Sequence, residues 1–314
     1  MGSNENIERK PRILVLGSTG RTGKAVIANL EHMRDSVEVI YSSRNSEQVE
    51  AWKREGKEAV HLDLDIPQTF PAALVGIDRL FLATGYTVAM VHQSKNIVDA
   101  AADAGVQFIV HLGIFGNGRM TDPHFAWHEM VERYIEGRGV AWAHLHPHFF
   151  MDNLLTTTPI VDGKFFWFAG DQPVGWIAPD DLAAVAAQVL AEGPKRHSGK
   201  QYWLSTDVLN GTEAAAEIAA GLGQPVHGVV LTPKDLIAQV TAGAITFPPS
   251  IEATYAASML EWVRQTYEGL LNFGGVTTTV EDLTRRKPLR LRQWVEQNRE
   301  AVLAAGTRKL QEAV

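Results

Sequence analysis

The sequence predicts an α/β fold: a doubly wound parallel sheet, followed by a smaller, interleaved α+β portion. Two observations predict it. Short aliphatic runs alternate with amphipathic runs over residues 12–147, and parallel neighbours need a crossover, which is usually a helix. A turn with three glycines, within "LVLGSTGRTGKAV" at 14–26, joins the first aliphatic run to the first amphipathic one.

The elements follow in order. "RILVLG" is continuous, aliphatic and ended by glycine, as a buried strand is. "GKAVIANLEHM" reads as a helix with Ala25, Val26, Ile27 and Leu30 as its apolar stripe. "VEVIYSS" is a second strand, and "SEQVEAWKREG" a second helix, capped by Ser46 and stopped by Gly56. "EAVHLDL" is a third strand, with a short helix in "PQTFPAALVG". "RLFLAT" is the fourth strand, and "AMVHQSKNIVDAAADAG" a long helix closed by glycine. "QFIVHLG", "HFAWHEMVERYIEG" and "VAWAHLH" read as strand, helix and sixth strand. Ligands of such sheets bind beyond the carboxyl ends of the strands. That rule selects the loops at 17–23, 42–45, 63–65, 84–86, 112–117 and 146–150.

After residue 150 the alternation loosens. "GKFFWFAGDQPVGWIAPDDLAAVAAQVL" reads as a hairpin-like segment and then a helix from Pro179. "KQYWLS" is a strand, "TEAAAEIAAGLG" a helix ended by glycine, and "VHGVVL" a strand. From Pro233 the chain reads as mostly helical, with an apolar-rich stretch over 255–271 and a final helix from Leu289.

Composition narrows the function classes. Apolar residues make up 45% and charged residues 21% of the 314, ordinary for a globular enzyme. The net charge of −7 argues against a general nucleic-acid binder and against adhesion to anionic membranes. The absence of cysteine removes disulfides, thiolate nucleophiles and cysteine metal sites. "MGSNENIERKPR" lacks the apolar core of a signal peptide, and no apolar stretch approaches a membrane span. A cytoplasmic protein is expected, with no membrane and no nucleic-acid partner.

The glycine turn carries the first chemistry. Its spacing is G-x-x-G-x-x-G, at Gly17, Gly20 and Gly23. The first glycine allows a tight turn, the second lets backbone approach a pyrophosphate, and the third lets the helix pack on the sheet. The helix start presents free N–H groups and partial positive charge to phosphates. Gly17, Ser18, Thr19, Gly20, Arg21, Thr22 and Gly23 are therefore expected to hold a dinucleotide. An NAD site would place a carboxylate about 20 residues further on, against the ribose 2′-hydroxyl. Here the second strand ends "YSSRN", with Arg44 and no carboxylate. A 2′-phosphate needs such a donor, and Arg21 could close on it from the other side, so the expected cofactor is NADP(H). Two charge-assisted bonds of about 1.5–3 kcal/mol each would favour NADP by about 10²-fold or more. Asp63 could accept a bond from the adenine amino group while Leu64 packs the ring, and Thr84 and Gly85 would approach the adenosine ribose. Gly113, His128, Pro147 and Phe149 complete the expected cofactor contacts. Residues 1–150 thus read as an NADP-binding Rossmann domain to which part of 172–205 returns, and 151–314 as a smaller substrate-binding domain.

The sequence has eleven histidines, and His111, His124, His128, His144, His146 and His148 fall near the expected cleft. Residues four apart share a helix face, so His124 and His128 can point together at the cofactor edge. Either could bond the nicotinamide ribose or donate a proton, since an unperturbed pKa near 6.5 suits an acid at neutral pH. A polar lining satisfied by backbone is the alternative. No metal site is expected. "HEMVE" puts Glu132 where H-E-x-x-H has its second histidine, and Pro147 interrupts the face that His144, His146 and His148 would share. The aromatics in "HFF", "FFWF" and "GWIA" could line an apolar pocket or form core. Asp152 and Asn153 read as a helix start.

"VLGSTGRTGKAV", "SSRN", "HLDLD", "AAADAGVQFIVHLG", "HEMVERYI", "HPHFFMDNLL" and "GWIAPDDLAAVAAQVL", in that order, resemble the NmrA-like group of atypical short-chain dehydrogenases over residues 12–205. The resemblance implies a Rossmann domain, NADP(H) and a small C-terminal domain forming the substrate pocket. That group is similar to triphenylmethane, quinone and isoflavone-type reductases and to NADP-sensing regulators. This sequence departs from it. Where typical short-chain dehydrogenases carry Tyr-x-x-x-Lys, His124 and His128 stand; many members keep a lysine where His128 precedes "EMVE"; the usual Arg-Pro reads His146-Pro147. The standard tyrosine acid is missing. The function implied is an NADPH-dependent reductase passing hydride to a small apolar acceptor such as a quinone, enone, ketone, imine or dye. The alternative is a non-catalytic NADP(H) sensor. A homodimer is allowed.

Overall fold

The computed structural model describes residues 9–116, 121–243, 247, 251–271 and 274–312. Residues 1–8 of the polar N-terminus and Asn117, at the edge of one expected ligand loop, lie outside them.

Over its first half the chain alternates as the sequence predicts. β1 (Arg12–Val15), α1 (Arg21–Glu31), β2 (Glu38–Ser43), α2 (Ser46–Arg54) and β3 (Ala59–His61) come first. A 3₁₀ turn (Pro67–Thr69) and α3 (Phe70–Ala73) lead to β4 (Arg79–Leu82) and α4 (Met90–Asp103). β5 (Phe108–Leu112), α5 (Pro123–Gly137) and β6 (Ala141–Pro147) follow. The cap of α2 differs from expectation. Asn45, not Ser46, accepts the Glu47 and Gln48 amides at 2.8 and 3.3 Å. Its extended backbone is what sets the side chain over the first turn.

The second half holds β7 (Phe149–Phe150), a 3₁₀ helix (Met151–Leu155), β8 (Lys164–Trp167), β9 (Val174–Ile177), α6 (Pro179–Glu192) and α7 (Pro194–His197). β10 (Lys200–Leu204), β11 (Asp207–Leu209), α8 (Gly211–Leu222) and β12 (His227–Val230) come next. Among the described residues the chain then runs through α9 (Pro233–Thr241), α10 (Ala253–Tyr267), α11 (Thr279–Thr284), α12 (Leu291–Gln297) and α13 (Arg299–Glu312).

Seven parallel strands form the central sheet in the order β10-β6-β5-β4-β1-β2-β3. One face is buried under α1, α2 and α6, through Val26, Leu30, Trp52, Val185 and Val189. The other is buried under α3, α4 and α5, through Phe70, Ile97, Val131 and Ile135. Strand order reverses between β1 and β4, and a crevice for a ligand opens beyond the carboxyl ends at such a switch point.

The predicted hairpin is not formed. β8 pairs in parallel with β12, while β9 lies between β7 and β11. Both strands are too apolar to leave a face in water. They meet through stacked rings instead, Trp167 on Trp176 at 5.4 Å, with Phe149 edge-on to Trp176 at 5.0 Å. Trp167 and Trp176 are fully buried, so these aromatics are core rather than pocket lining. No described helix is long and apolar enough to cross a membrane.

Two polar ties bind the returning segment. The Arg79 guanidinium, at the start of β4, donates to the Leu190 and Ala191 carbonyls at 2.5 and 2.7 Å and so caps the end of α6. Asp181, in the first turn of α6 and 3% exposed, accepts the Leu289 amide at 2.7 Å. Arg286 lies 3.6 Å from its other oxygen. Replacing Asp181 by Ala strands that amide and is expected to cost about 2 kcal/mol. A urea midpoint series should show it, with Asp181→Asn, which keeps an acceptor, losing clearly less.

Candidate active site

The glycine loop closes on itself. Gly17 has φ of +70°, and its carbonyl accepts the Gly20 amide at 2.8 Å. A Cβ at position 20 would lie 3.2 Å from that carbonyl oxygen, and at position 23 only 2.1 Å. The third glycine is thus demanded by the loop's own carbonyl, more directly than by the helix–sheet packing the sequence suggested. α1 begins with no side-chain cap and no acidic residue in its first turn. Its leading N–H groups are left for an anion.

Gly17, Thr19, Gly20 and Arg21 are exposed at this turn, Thr22 is half-buried, and Ser18 is buried. The Ser18 hydroxyl donates to the Val15 carbonyl at 2.7 Å and accepts the Ser42 amide at 2.9 Å. Ser42 Oγ donates to the same carbonyl at 2.7 Å. These bonds lock the loop to the tip of β2, two residues before Arg44. Arg44 is exposed, and its guanidinium makes no ion pair among the described residues. Arg21 reaches elsewhere. It pairs at 2.5 Å with Asp152, on the 3₁₀ helix after β7. Burial pushes the Asp152 carboxyl up, and the Arg21 charge opposes that. Sequence reading missed this pair, since nothing local links positions 131 residues apart.

Around the crevice, Thr84 is half-buried and Gly85 exposed at the end of β4. Tyr86 keeps 45% of its surface open. Burial among its neighbours still raises its phenol pKa, with Arg21 and Asp152 near enough to act on it. Asp63 and Leu64 are half-buried beyond β3, and Asp63 Oδ1 accepts the Asp65 amide at 3.0 Å. A Cβ at Gly113 would lie 2.6 Å from Glu132 Oε1, so this glycine makes room for a carboxylate. Pro147 is buried at the end of β6, and Phe149 packs towards the aromatic core.

His124 and His128 do share a face of α5, with ring centres 5.4 Å apart. A third ring, from the far end of the sequence, joins them. Tyr255 on α10 is 4.7 Å from the His124 ring, and its hydroxyl is 3.4 Å from His128 Nε2. Tyr86 meets it edge-on at 5.7 Å. The start of α10 is fastened there: the Glu252 amide donates to the Tyr86 carbonyl at 2.9 Å. The Glu252 carboxylate accepts the Val88 amide at 2.8 Å and the Thr87 hydroxyl. The pairing of Tyr255 with the histidines had no sequence signal beyond an apolar-rich helix.

Burial changes the chemistry expected of these histidines. It pushes His128 down to about 4 and His124 well below the usual imidazole value. Both rings are neutral at pH 7, so neither stands as the imidazolium acid that the free pKa suggested. Burial holds Tyr255 well above 10, a phenol at any working pH. Behind them His144 is pushed down to about 3 and Glu132 up to about 8, each by burial first. Among the described residues no group of three or more His, Asp or Glu could hold a metal ion.

These shifts set opposite pH slopes. Below pH 6.5 the unfolded chain protonates histidines that the fold keeps neutral, so stability falls as pH drops; at pH 5 this costs about 2 kcal/mol for His128 or His144. Glu132 acts the other way: its contribution is full below about pH 4.5 and is lost as pH rises through 8. Thermal melts from pH 5 to 9 should peak near neutrality. His144→Phe is expected to flatten the acid limb, and Glu132→Gln the alkaline one.

Comparison with known proteins agrees with this geometry. The model of the NmrA-like family matches residues 9–289. An NAD(P)H azoreductase of Xenophilus azovorans is 31% identical over 224 residues, 70% of this chain and 77% of that protein. Quinone oxidoreductase 2 of Escherichia coli strain K12 is 27% identical over 234 residues, 72% of this chain and 80% of that protein. The crystal structure of an NADPH-dependent quinone oxidoreductase from Escherichia coli, complexed with NADPH, superposes with a TM-score of 0.77. It is 22% identical and covers 91% of this chain and 99% of that one, which shows a shared fold.

Proposed function

This chain belongs to the NmrA-like family, and we propose that it is an NADPH-dependent reductase delivering hydride to a small, conjugated or carbonyl-type acceptor. One observation carries the reading. The uncapped start of α1, with its three glycines, faces the switch-point crevice, and an unpaired guanidinium stands at the tip of β2. A dinucleotide bearing a 2′-phosphate fits that set of donors, because a carboxylate at the β2 tip would repel it and none is there.

Residues 17–23 bind the diphosphate through backbone amides. Arg44 recognises the 2′-phosphate without Arg21, which Asp152 holds on the other side. Asp63 and Leu64 take the adenine, and Thr84 and Gly85 the adenosine ribose. Gly113, His128, Pro147 and Phe149 border the reactive end. NADPH, when bound, supplies the hydride; the protein supplies orientation, a dry floor and a proton. A flat conjugated acceptor asks mainly for proximity and alignment. That is why turnover survives without the Tyr-x-x-x-Lys pair. A relative of 31% identity is named an azoreductase, which weighs for turnover over sensing. The acceptor class proposed is a quinone, azo compound, enone or cationic dye, held between the β4–α4 loop and the second half of the chain.

Calorimetry on the folded protein tests the cofactor. Arg44→Glu is expected to weaken NADPH by about 10²-fold and NADH little. Equal losses for both coenzymes would sink the assignment to Arg44. Steady NADPH consumption with an azo or quinone acceptor tests turnover; binding without consumption across the panel would leave a sensor.

A further inference from the structure

The interface between α5 and the sheet is polar where a doubly wound fold ordinarily buries aliphatics. His128, Glu132 and Glu136 recur every four residues on one face of α5. His111 on β5 and His144 and His146 on β6 face them. His111 and His144 are register partners with ring centres 5.4 Å apart, and His111 is 6.4 Å from His128. His144 Nε2 lies 3.7 Å from Glu136 Oε1, and His146 Nδ1 3.6 Å from Glu132 Oε1. Both ring nitrogens of His111 and His144, and Nδ1 of His128, are buried without a hydrogen-bond partner. Buried polar atoms are normally satisfied, so a contiguous row of unsatisfied ones asks for a role.

The row has two ends. At the inner end His128 Nε2 meets the Tyr255 hydroxyl at 3.4 Å, beside Tyr86 in the crevice. Along its length the row opens, at His128, Glu132 and His146, on a recess of about 340 Å³, and its outer end is Glu136. Glu136, with 21% of its side chain exposed, pairs there with Arg133 at 2.8 Å.

We propose that this row is a proton path, running from the recess and the Glu136 edge through His128 to Tyr255, and that it supplies the proton which accompanies hydride in reduction. The proposal rests on the reductase reading above. Reduction of a quinone consumes one hydride and one proton and gives the hydroquinone. The hydride comes from the nicotinamide. The proton leaves the Tyr255 hydroxyl for the acceptor oxygen, and the Tyr255 oxygen regains one from His128 Nε2. His128 Nδ1 takes its replacement from Glu132 or from His111, and solvent restores the outer groups. Neutral imidazole has one donor and one acceptor nitrogen, which is what such transfer requires; burial keeps these rings neutral. The approaches along the row are 3.4 Å from Tyr255 to His128, 3.6 Å from His146 to Glu132 and 3.7 Å from His144 to Glu136. Glu132, held protonated at neutral pH, has a proton to give. Tyr255 thereby takes the duty of the tyrosine missing from α5, with His128 and Glu132 as positioning and relay groups behind it.

The test uses two acceptors in stopped flow with the full chain and NADPH. A quinone needs hydride and a proton. A triarylmethyl cation needs hydride alone, which neutralises the carbocation. Glu132→Gln exchanges a neutral acid for a neutral amide of the same shape, so it keeps the fold; Tyr255→Phe, which removes only the donating hydroxyl, is the second variant. In either, the quinone-to-dye rate ratio is expected to fall about tenfold or more. The NADPH Kd should hold, and the solvent deuterium effect on quinone reduction should rise. A ratio unchanged in either variant, or rates falling alike with both acceptors, overturns the path. If the wild type takes the quinone but not the dye, the solvent effect decides, and a rate loss without its rise overturns the path. Wild-type protein that binds NADPH yet reduces neither acceptor overturns the reductase reading, and the path with it.

Discussion

A carbonyl oxygen occupies the space in which any side chain at position 23 would begin. The Gly17 oxygen stands 2.1 Å from that point, so the turn between β1 and α1 can close only over glycine. Closure aims the first amides of α1 outward with no side chain in front of them. The same turn buries Ser18, and Ser18 fastens the tip of β2 to β1. A steric contact inside one loop therefore fixes two parts of the proposed nucleotide site, the phosphate cradle and the tip of β2 that bears Arg44. An added methyl would displace both.

The parts legible in the sequence were those whose cause is local. Continuous aliphatic runs marked β1, β4 and β5, because strands buried on both faces need no alternation. The glycine spacing marked the turn, because backbone shape is a local demand. What the sequence concealed depends on partners far away. The aromatic runs at β8 and β9 looked like neighbours in a hairpin, yet each pairs with another strand and they meet only through their rings. Arg21, expected among the phosphate ligands, is paired in the fold with Asp152, a carboxylate far along the chain that the sequence read as a helix start. His124 and His128 were placed correctly on one face, but their charge was not readable. Desolvation by other elements decides it, and no pattern along α5 carries that information.

Tyr255 illustrates how the two halves share one centre. The helix that bears it is tied to the loop after β4 by the amide and the carboxylate of Glu252. The tyrosine arrives between two histidines at positions where related dehydrogenases keep their own acid. On the proposed proton path, the duty of an acid on α5 falls to a residue of α10 that the fold sets against the same two positions. Such exchange is easy where the second half lies directly over the reactive end, and invisible to any motif search confined to α5.

The return of α6 and β10 has a consequence for how the molecule is made. The stripe of α1 at Val26 and Leu30 is buried together with Leu182, Val185 and Val189 of α6, and the end of α6 is capped from the start of β4. A ribosome that has released the first 150 residues has therefore exposed an apolar helix face with nothing to cover it. High contact order of this kind slows folding. The first six strands therefore do not make a finished sheet: β10 completes its edge and α6 covers its α1 face only after the chain has folded back.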